Sequence, residues 1–573
     1  MDQQRRKFIK QTGTAAAGLS VLPAFSWAED YEAGEKNLDD VLQKLAVLND
    51  ERVTNLLKDQ VSRPGDRWDG AVVNRFDVVN THSTAWFVIR LGSSFACQFS
   101  DYYKSEILIK PMDKAMTCLL NVQHEDGTID LHSTNFHSTP DTAFLVHYIS
   151  PLYLCLQRMK RAELAGIISK IETFLRNSAK CLLIGGIHTP NHRWVVCSAL
   201  ARIHSFFPNE KYVQRIDQWL GEGIDLDPDG QYTERSVSIY SPVCNKMFLT
   251  VARVLNRPEL LDVVRTNLEM SLYYIQPGGE VLTDASHRQD SARIGYVNEY
   301  YYAYRYFAIQ DQNPQFAAVC RLIEEEMPDR ISKFIPVLME DSTYEKKIVT
   351  PSKIPDNYFK RFEHSGVIRI RRGKTDISII EQNPTFLSYR KGVAVLQSLR
   401  LASAFFGRGQ FIAEEADFDG KTITLKKTLT KGYYQPVPTA QQSGENDWEK
   451  VPRSERELSE AQTQNWQVKI SEKRGKLTIE IEITGTPYVP VSLEMSFREG
   501  GKLEGVSADD NLEESYFLEE GFGQYGLGSD MIKFGPGAND HKWARLRGML
   551  PKQPGKSVYI TGHTPFKHTL ELS

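Results

Sequence analysis

Two short stretches of this 573-residue chain carry polar groups that a hydrophobic core does not need. Thr189-Pro190-Asn191-His192-Arg193-Trp194 places an amide, an imidazole, a guanidinium and an indole in succession. Further on, Asp229-Gly230-Gln231-Tyr232-Thr233-Glu234-Arg235-Ser236 leads to Tyr240. Both stretches read as helix starts. Thr189 suits an N-cap and Pro190 the first helical position, which puts Asn191 and His192 in the first turn. There the free backbone N–H groups and the positive end of the helix dipole favour a negative charge. Helix starts gathered at one end of a helical region would therefore build a site for an anionic substrate. An amide or a cation at such a site can neutralise an oxyanion, and an imidazole or a phenol can move protons. Tyr240 lies four residues after Ser236 and four before Cys244, a spacing that puts all three on one helical face.

Each group also has an ordinary structural use. Asn191 could fix a loop, His192 could be structural, and Tyr240 could be a core tyrosine with a backbone partner. Arg193 and Trp194 could pair with and stack on a sugar acid, or they could pack and face solvent. Arg235 could pair with a neighbouring carboxylate. Two further segments add candidates: His137-Ser138-Thr139-Pro140-Asp141-Thr142 opens another helix after a polar loop. The stretch from Ala285 to Tyr306 holds His287, Arg288, Arg293 and six tyrosines, Tyr301 among them, which could fill space or grip a sugar.

The elements that must position these groups fall into two kinds. From Leu38 to Met339 the apolar period is helical: Val41, Leu42, Leu45 and Leu48 form one stripe, Ile107, Met112, Met116 and Leu119 a second, and Val196, Leu200 and Ile203 a third. Antiparallel helix pairs with short loops bury such stripes on one another, and a toroid of hairpins does so economically. After Phe362 the period becomes two. Val367–Ile370, Asp376–Ile379, Thr422–Leu425, Val468–Ile470 and Leu477–Ile483 read as strands, and many short strands with Gly-rich turns predict an antiparallel sandwich. Pro351 to Asp356 reads as the linker, and the polar stretch from Gln435 to Gln464 as a long loop. The expected fold class is α+β multidomain. Residues 1–28 form a signal peptide, 29–350 the helical toroid and 351–573 the β-sandwich.

Composition narrows the partners. A formal net charge of −4 gives no basic field for nucleic acid, and beyond the first thirty residues no apolar run is long enough to span a bilayer. Arg5-Arg6-Lys7-Phe8-Ile9-Lys10, a weakly apolar stretch and Ser26-Trp27-Ala28 read as an export signal of the twin-arginine type, which implies a periplasmic or extracellular address. The seven cysteines show no CxxC spacing and sit in apolar helical patterns, so they read as small buried hydrophobes. Nine of the thirteen histidines lie between His82 and His287, yet no spacing names a metal, so neither a metal ligand nor a cofactor is assigned. A divalent cation such as calcium could still assist charge neutralisation. Nothing in the sequence fixes the oligomeric state.

Asn191-His192 opening a helix, then Asp229-Gly230 with Glu234-Arg235-Ser236 and Tyr240, then a β-rich C-terminal part, resembles the heparinase II/III-like and alginate-lyase-like polysaccharide lyases. The resemblance implies an incomplete (α/α) toroid joined to an antiparallel β-sandwich, with the site in the cleft between them. It implies β-elimination on an acidic polysaccharide or oligosaccharide that contains uronate. Asn191 would hold the substrate carboxylate, His192 would sit beside it, and Tyr240 would exchange a proton. His137 is a further candidate for proton transfer, and Arg193, Trp194, Arg235, His287, Arg288 and Tyr301 for substrate binding. One departure stands out: the family commonly carries a further histidine early in the sandwich, whereas Phe386 to Phe411 here contains none. An atypical lyase, such as one releasing rhamnose from glucuronate, would accommodate that. Two other classes are weighed: a toroid-type glycoside hydrolase using two of Asp141, Glu234 and Asp284, and a non-catalytic glycan-binding protein.

Overall fold

The computed structural model describes residues 38–438 and 453–573, so the expected signal peptide lies outside the described residues. Eleven helices carry the argument: α1 (Leu38–Leu56), α2 (Thr81–Ala96), α3 (Ile109–Val122), α4 (Thr139–Met159), α5 (Ala165–Ile184), α6 (Pro190–Phe206), α7 (Glu210–Leu220), α8 (Tyr240–Val254), α9 (Glu259–Leu272), α10 (Tyr301–Gln310) and α11 (Pro314–Glu326). They form two layers. In α6 every residue from Asn191 to Ile203 is buried, in α8 every residue from Ser241 to Ala252, and in α10 every residue from Tyr301 to Ile309. A helix buried all round belongs to an interior. By contrast α3 buries one stripe (Met112, Ala115, Met116, Leu119), and α7 buries only Ile216. The buried helices α2, α4, α6 and α8 pack side by side, each covered by the outer helix that follows it. Ile107, expected in the α3 stripe, is exposed because it lies in a 3-10 turn ahead of the helix.

This layering gathers the starts of the inner helices. His82 of α2 reaches Asp141 of α4 at 3.3 Å, and Phe144 of α4 meets the His192 ring of α6 at 6.2 Å. The Tyr300 hydroxyl, just before α10, donates to the carbonyl of Val237 before α8 at 2.8 Å. Three contacts thus link the starts of α2, α4 and α6 to one another and those of α8 and α10 to each other.

The C-terminal part is a sandwich of a ten-stranded and an eight-stranded sheet. In the first, β1 (Asn357–Phe362), β2 (Val367–Arg372), β3 (Thr375–Ile380), β4 (Leu387–Lys391) and β5 (Ala394–Ser403) run antiparallel in sequence order, short turns joining each to the next. Ile368, Ile370, Ile377 and Ile379 from this sheet share a core with Val468, Ile470, Ile479 and Ile481 from the other. Among the described strands pairing is antiparallel apart from Ser515–Phe517, which lies parallel to Lys556–His563. The expected loop from Gln435 to Gln464 needs correcting at its end. Leu458–Lys473 is one strand, paired with Thr422–Tyr434. Its first residues are mostly exposed, so they lack the apolar alternation that marks a half-buried strand.

The sheet is seated on the helices by buried charge. Arg369 donates to the Tyr273 carbonyl at 2.9 Å and pairs with Asp376 at 2.8 Å, while Arg390 and Arg498 both pair with Glu280 at 2.8 Å. All seven cysteines are free and buried. Among the described residues no helix is long and apolar enough to cross a membrane.

Candidate active site

Asn191 sits in the first turn of α6, 1% exposed. Its Nδ2 donates to Thr189 Oγ1 at 3.1 Å and to Glu234 Oε2 at 2.7 Å. The Thr189 hydroxyl is therefore used by the amide, and no side-chain cap closes the backbone of α6. Asn191 Oδ1 and His192 Nδ1 are buried without a hydrogen-bond partner. In a folded interior such atoms are uncommon, and both are open to a hydrogen bond from water or a ligand.

Glu234 arrives from the long connection between α7 and α8. Its start is fixed by Asp225, whose Oδ1 accepts from Arg193 and from the Trp194 indole, each at 3.1 Å. Arg193 also donates to the Gly223 carbonyl at 3.0 Å. Gly230 turns the chain with a positive φ of 87°, and a Cβ there would lie 2.9 Å from the Thr266 carbonyl, so the Asp-Gly step is a requirement of close approach. Arg193 and Trp194, expected as substrate-binding residues, are engaged within the fold, both bound to Asp225. Trp194 is 1% exposed and lies against Phe248.

The other side of Glu234 faces Arg288. Arg288 Nε lies 3.2 Å from Glu234 Oε1, an ion-pair contact without hydrogen-bond alignment. Its guanidinium carbon stands 5.1 Å from the centre of the Tyr240 ring, and Gln289 Nε2 donates to the Tyr240 hydroxyl. Asp290 anchors this loop by accepting from Ser238 Oγ at 2.8 Å and from Ser286 Oγ at 2.5 Å. Tyr240 is the first residue of α8, and its N–H donates to Ser236 Oγ at 3.1 Å. Ser236 is thus outside the helix, and the expected helical face of Ser236, Tyr240 and Cys244 does not form. An unbroken path of contacts runs from Asn191 through Glu234 and Arg288 to Tyr240 and Gln289.

Burial sets the protonation of this group. It raises the Glu234 carboxyl above its ordinary range, against the opposing pull of the Asn191 bond and Arg288. Burial, helped by His188 and Arg288 and opposed by Asp141, lowers His192 to about 4. His192 is therefore neutral at pH 7, a hydrogen-bond partner and not a cation. A histidine whose folded pKa lies below its unfolded value leaves stability intact above pH 6.5 and removes it as the pH falls towards 4. We expect His192 to account for about 3 kcal/mol of acid destabilisation across that window. Chemical denaturation at both ends of the window, for the wild type and for His192→Gln, measures it; equal acid losses would refute the assignment.

The remaining candidates separate. His137 is exposed, has a positive φ of 46°, pairs with Asp126 at 2.9 Å and stacks on His124 at 3.8 Å. Its bond to Asp126 raises its pKa, and none of its contacts reaches Asn191, His192 or Tyr240. Tyr301 is fully buried and donates to Glu324, so it cannot touch a substrate. Arg235 donates to the carbonyls of His364 and Ser365, both at 2.8 Å. His287 is exposed beside the site, with its N–H on the Glu234 carbonyl at 3.1 Å. The sequence reading quoted Glu234 in the lyase-like segment but gave it a role only among hydrolase carboxylates, and it missed Gln289 altogether. No hydrogen bond or ion pair joins any two of Asp141, Glu234 and Asp284. Between Phe386 and Phe411, Arg390 and Arg400 are held by Glu280 and Glu494. Among the described residues no three His, Cys, Asp or Glu side chains are grouped to hold a metal ion.

No protein-family model matches the chain, and no curated protein matches it in sequence. Solved structures do. The chain is similar to heparinase III at 10% identity, over 96% of this chain and 84% of that one, with a TM-score of 0.51. It is similar to the chondroitin AC lyase of Streptomyces coelicolor A3, solved with chondroitin sulphate, at 11% identity over 100% and 82%, with a TM-score of 0.55. A Paenibacillus xanthan lyase aligns at 10% identity over 94% of this chain and 57% of its own, with a TM-score of 0.53. At such identities the likeness is one of fold: a helical toroid followed by a β-sandwich, as expected from the sequence.

Proposed function

We propose that this chain is an exported polysaccharide lyase that cleaves a uronate-containing glycan by β-elimination. The observation that carries the reading is the contact path from Asn191 through Glu234 and Arg288 to Tyr240. Its two ends answer the two demands of the reaction. Removing the C5 proton of a uronate builds negative charge on the adjacent carboxylate, and breaking the C4–O bond leaves an oxygen that needs a proton.

Asn191, Glu234 and Arg288 form the carboxylate end. Two carboxylates cannot both stay ionised in contact, and the raised pKa of Glu234 makes it the group that carries the proton. A protonated Glu234 donates to the substrate carboxylate as charge develops there, while Arg288 faces the same oxygen pair. Such donors act strongly because they are fixed before the reaction begins. Tyr240 forms the proton-transfer end. Its oxygen accepts from Gln289, and Arg288 over its ring compensates the charge of the phenolate that takes the C5 proton. The electrons left at C5 form the C4–C5 double bond, the C4–O bond breaks, and Tyr240 returns the proton to the departing oxygen. His192, with its lowered basicity, is better suited to hydrogen-bond a sugar hydroxyl through Nδ1 than to remove a carbon-bound proton.

Incubation with a panel of acidic polysaccharides tests the reading. Products with new ultraviolet absorbance and the mass of an unsaturated uronate are expected. Saturated products with one added water would replace elimination by hydrolysis. Binding without any product would leave a glycan-binding protein.

A further inference from the structure

We infer that Arg235 and Asp229 form a latch through which the turn between β1 and β2 fixes the position of Glu234, so that Arg235 is a positioning residue for the reaction. The inference rests on the lyase reading for its kinetic part and on geometry alone for the rest.

The turn Glu363-His364-Ser365-Gly366 reaches from the sheet into the connection that carries Glu234. Ser365 is buried, and both of its backbone groups are taken by the helical part. Its N–H donates to Asp229 Oδ2 at 2.7 Å, and its carbonyl accepts from Arg235 Nη1 at 2.8 Å. The second arm of the same guanidinium holds the His364 carbonyl at 2.8 Å. A planar fork gripping two successive carbonyls fixes direction as well as distance. Gly366, with a positive φ of 62°, lets the turn close, and its carbonyl accepts from the N–H of Glu381 on the next turn of the sheet. The latch is thus mounted on two turns of the same sheet.

On the helical side Arg235 itself has a positive φ of 50°. A residue with a Cβ holds that conformation only where its surroundings demand it. Glu234 immediately precedes it, with its carbonyl bound by His287 and its carboxyl between Asn191 and Arg288. The kink at Arg235 sends its own side chain to the sheet while Glu234 points to α6. Beside the latch, the Ser365 hydroxyl donates to Asp227 Oδ2 at a long 3.4 Å, too weak a tie to keep the Glu234 carboxyl on both partners once the latch is open.

The test compares Arg235→Ala, Arg235→Lys, Asp229→Ala and Asp229→Asn with the wild type, each as the full chain. A displacement near 1 Å in a catalytic group costs about 100-fold in rate. Arg235→Ala should therefore lower kcat about 100-fold with KM within a few-fold, and should move the alkaline limb of the pH profile, where Glu234 loses its proton. Asp229→Asn, which keeps an accepting oxygen, should restore most of what Asp229→Ala loses, and Arg235→Lys should restore less because it lacks the fork. Hydrogen exchange supplies a readout independent of turnover: amides of residues 233–239 should exchange faster in Arg235→Ala while those of α9 do not change. A raised KM at unchanged kcat would make Arg235 a substrate ligand and overturn the inference. So would losses that merely follow global stability, with the pH limb fixed and exchange raised everywhere. If the wild type cleaves no uronate glycan, the lyase reading fails, and hydrogen exchange still decides whether the latch exists.

Discussion

Tyr240→Phe should reduce elimination by about 1,000-fold while leaving KM and folding nearly unchanged. The substitution removes one oxygen. The ring stays beneath Arg288, and Gln289, which is exposed, can turn its freed amide to water. What disappears is the atom that carries the proton from C5 to the departing oxygen. Initial rates of ultraviolet absorbance on the preferred glycan measure the loss, and thermal unfolding measures the fold. Activity within a few-fold of the wild type would remove Tyr240 from the chemistry and return the question to His192.

The second large effect is expected at Asn191. Asn191→Ala should lower kcat/KM by about 100-fold, the cost of displacing the Glu234 carboxyl that the Asn191 amide holds in place. It should also cost about 1–3 kcal/mol of stability, because the buried Glu234 oxygen loses the amide 2.7 Å away. Asn191→Asp separates the two roles. It sets a second carboxylate against Glu234, and the pair must then share a proton. Raising the pH through the range where the pair would ionise should destabilise this variant, and lowering it should restore part of the fold. Denaturation curves at several pH values, set beside kcat/KM, test this. A variant equally stable at all of them would mean that Asn191 and Glu234 are not in contact in solution.

Much of the architecture is readable from periodicity, because helices and strands that bury one face write it into the chain at periods of 3.6 and 2. The change near Phe362 marks the passage from toroid to sandwich for that reason. The site is readable only where it coincides with a helix start, as at Asn191. Arg193 and Trp194 are neighbours of Asn191 in sequence, yet successive helical residues point about 100° apart, so they bind Asp225 while Asn191 binds Glu234. Glu234 and Gln289 lie in connections without any period. Their meaning comes from partners 43 and 49 residues away, a relation no local pattern carries. Tyr301 misleads in the opposite direction, since a tyrosine-rich helix reads the same whether it lines a cleft or fills an interior.

The connection from Asp225 to Ile239 is tied down at its start by Arg193 and Trp194, at its kink by the sheet, and at its end by the Tyr300 hydroxyl on Val237. Such a segment has little freedom left for a substrate to remove. Encounter with a glycan should then resemble the docking of two rigid bodies, without a slow ordering step before chemistry. Tightness of binding would be governed by how quickly the sugar leaves, and by how well it replaces water at the two unpaired atoms of Asn191 and His192.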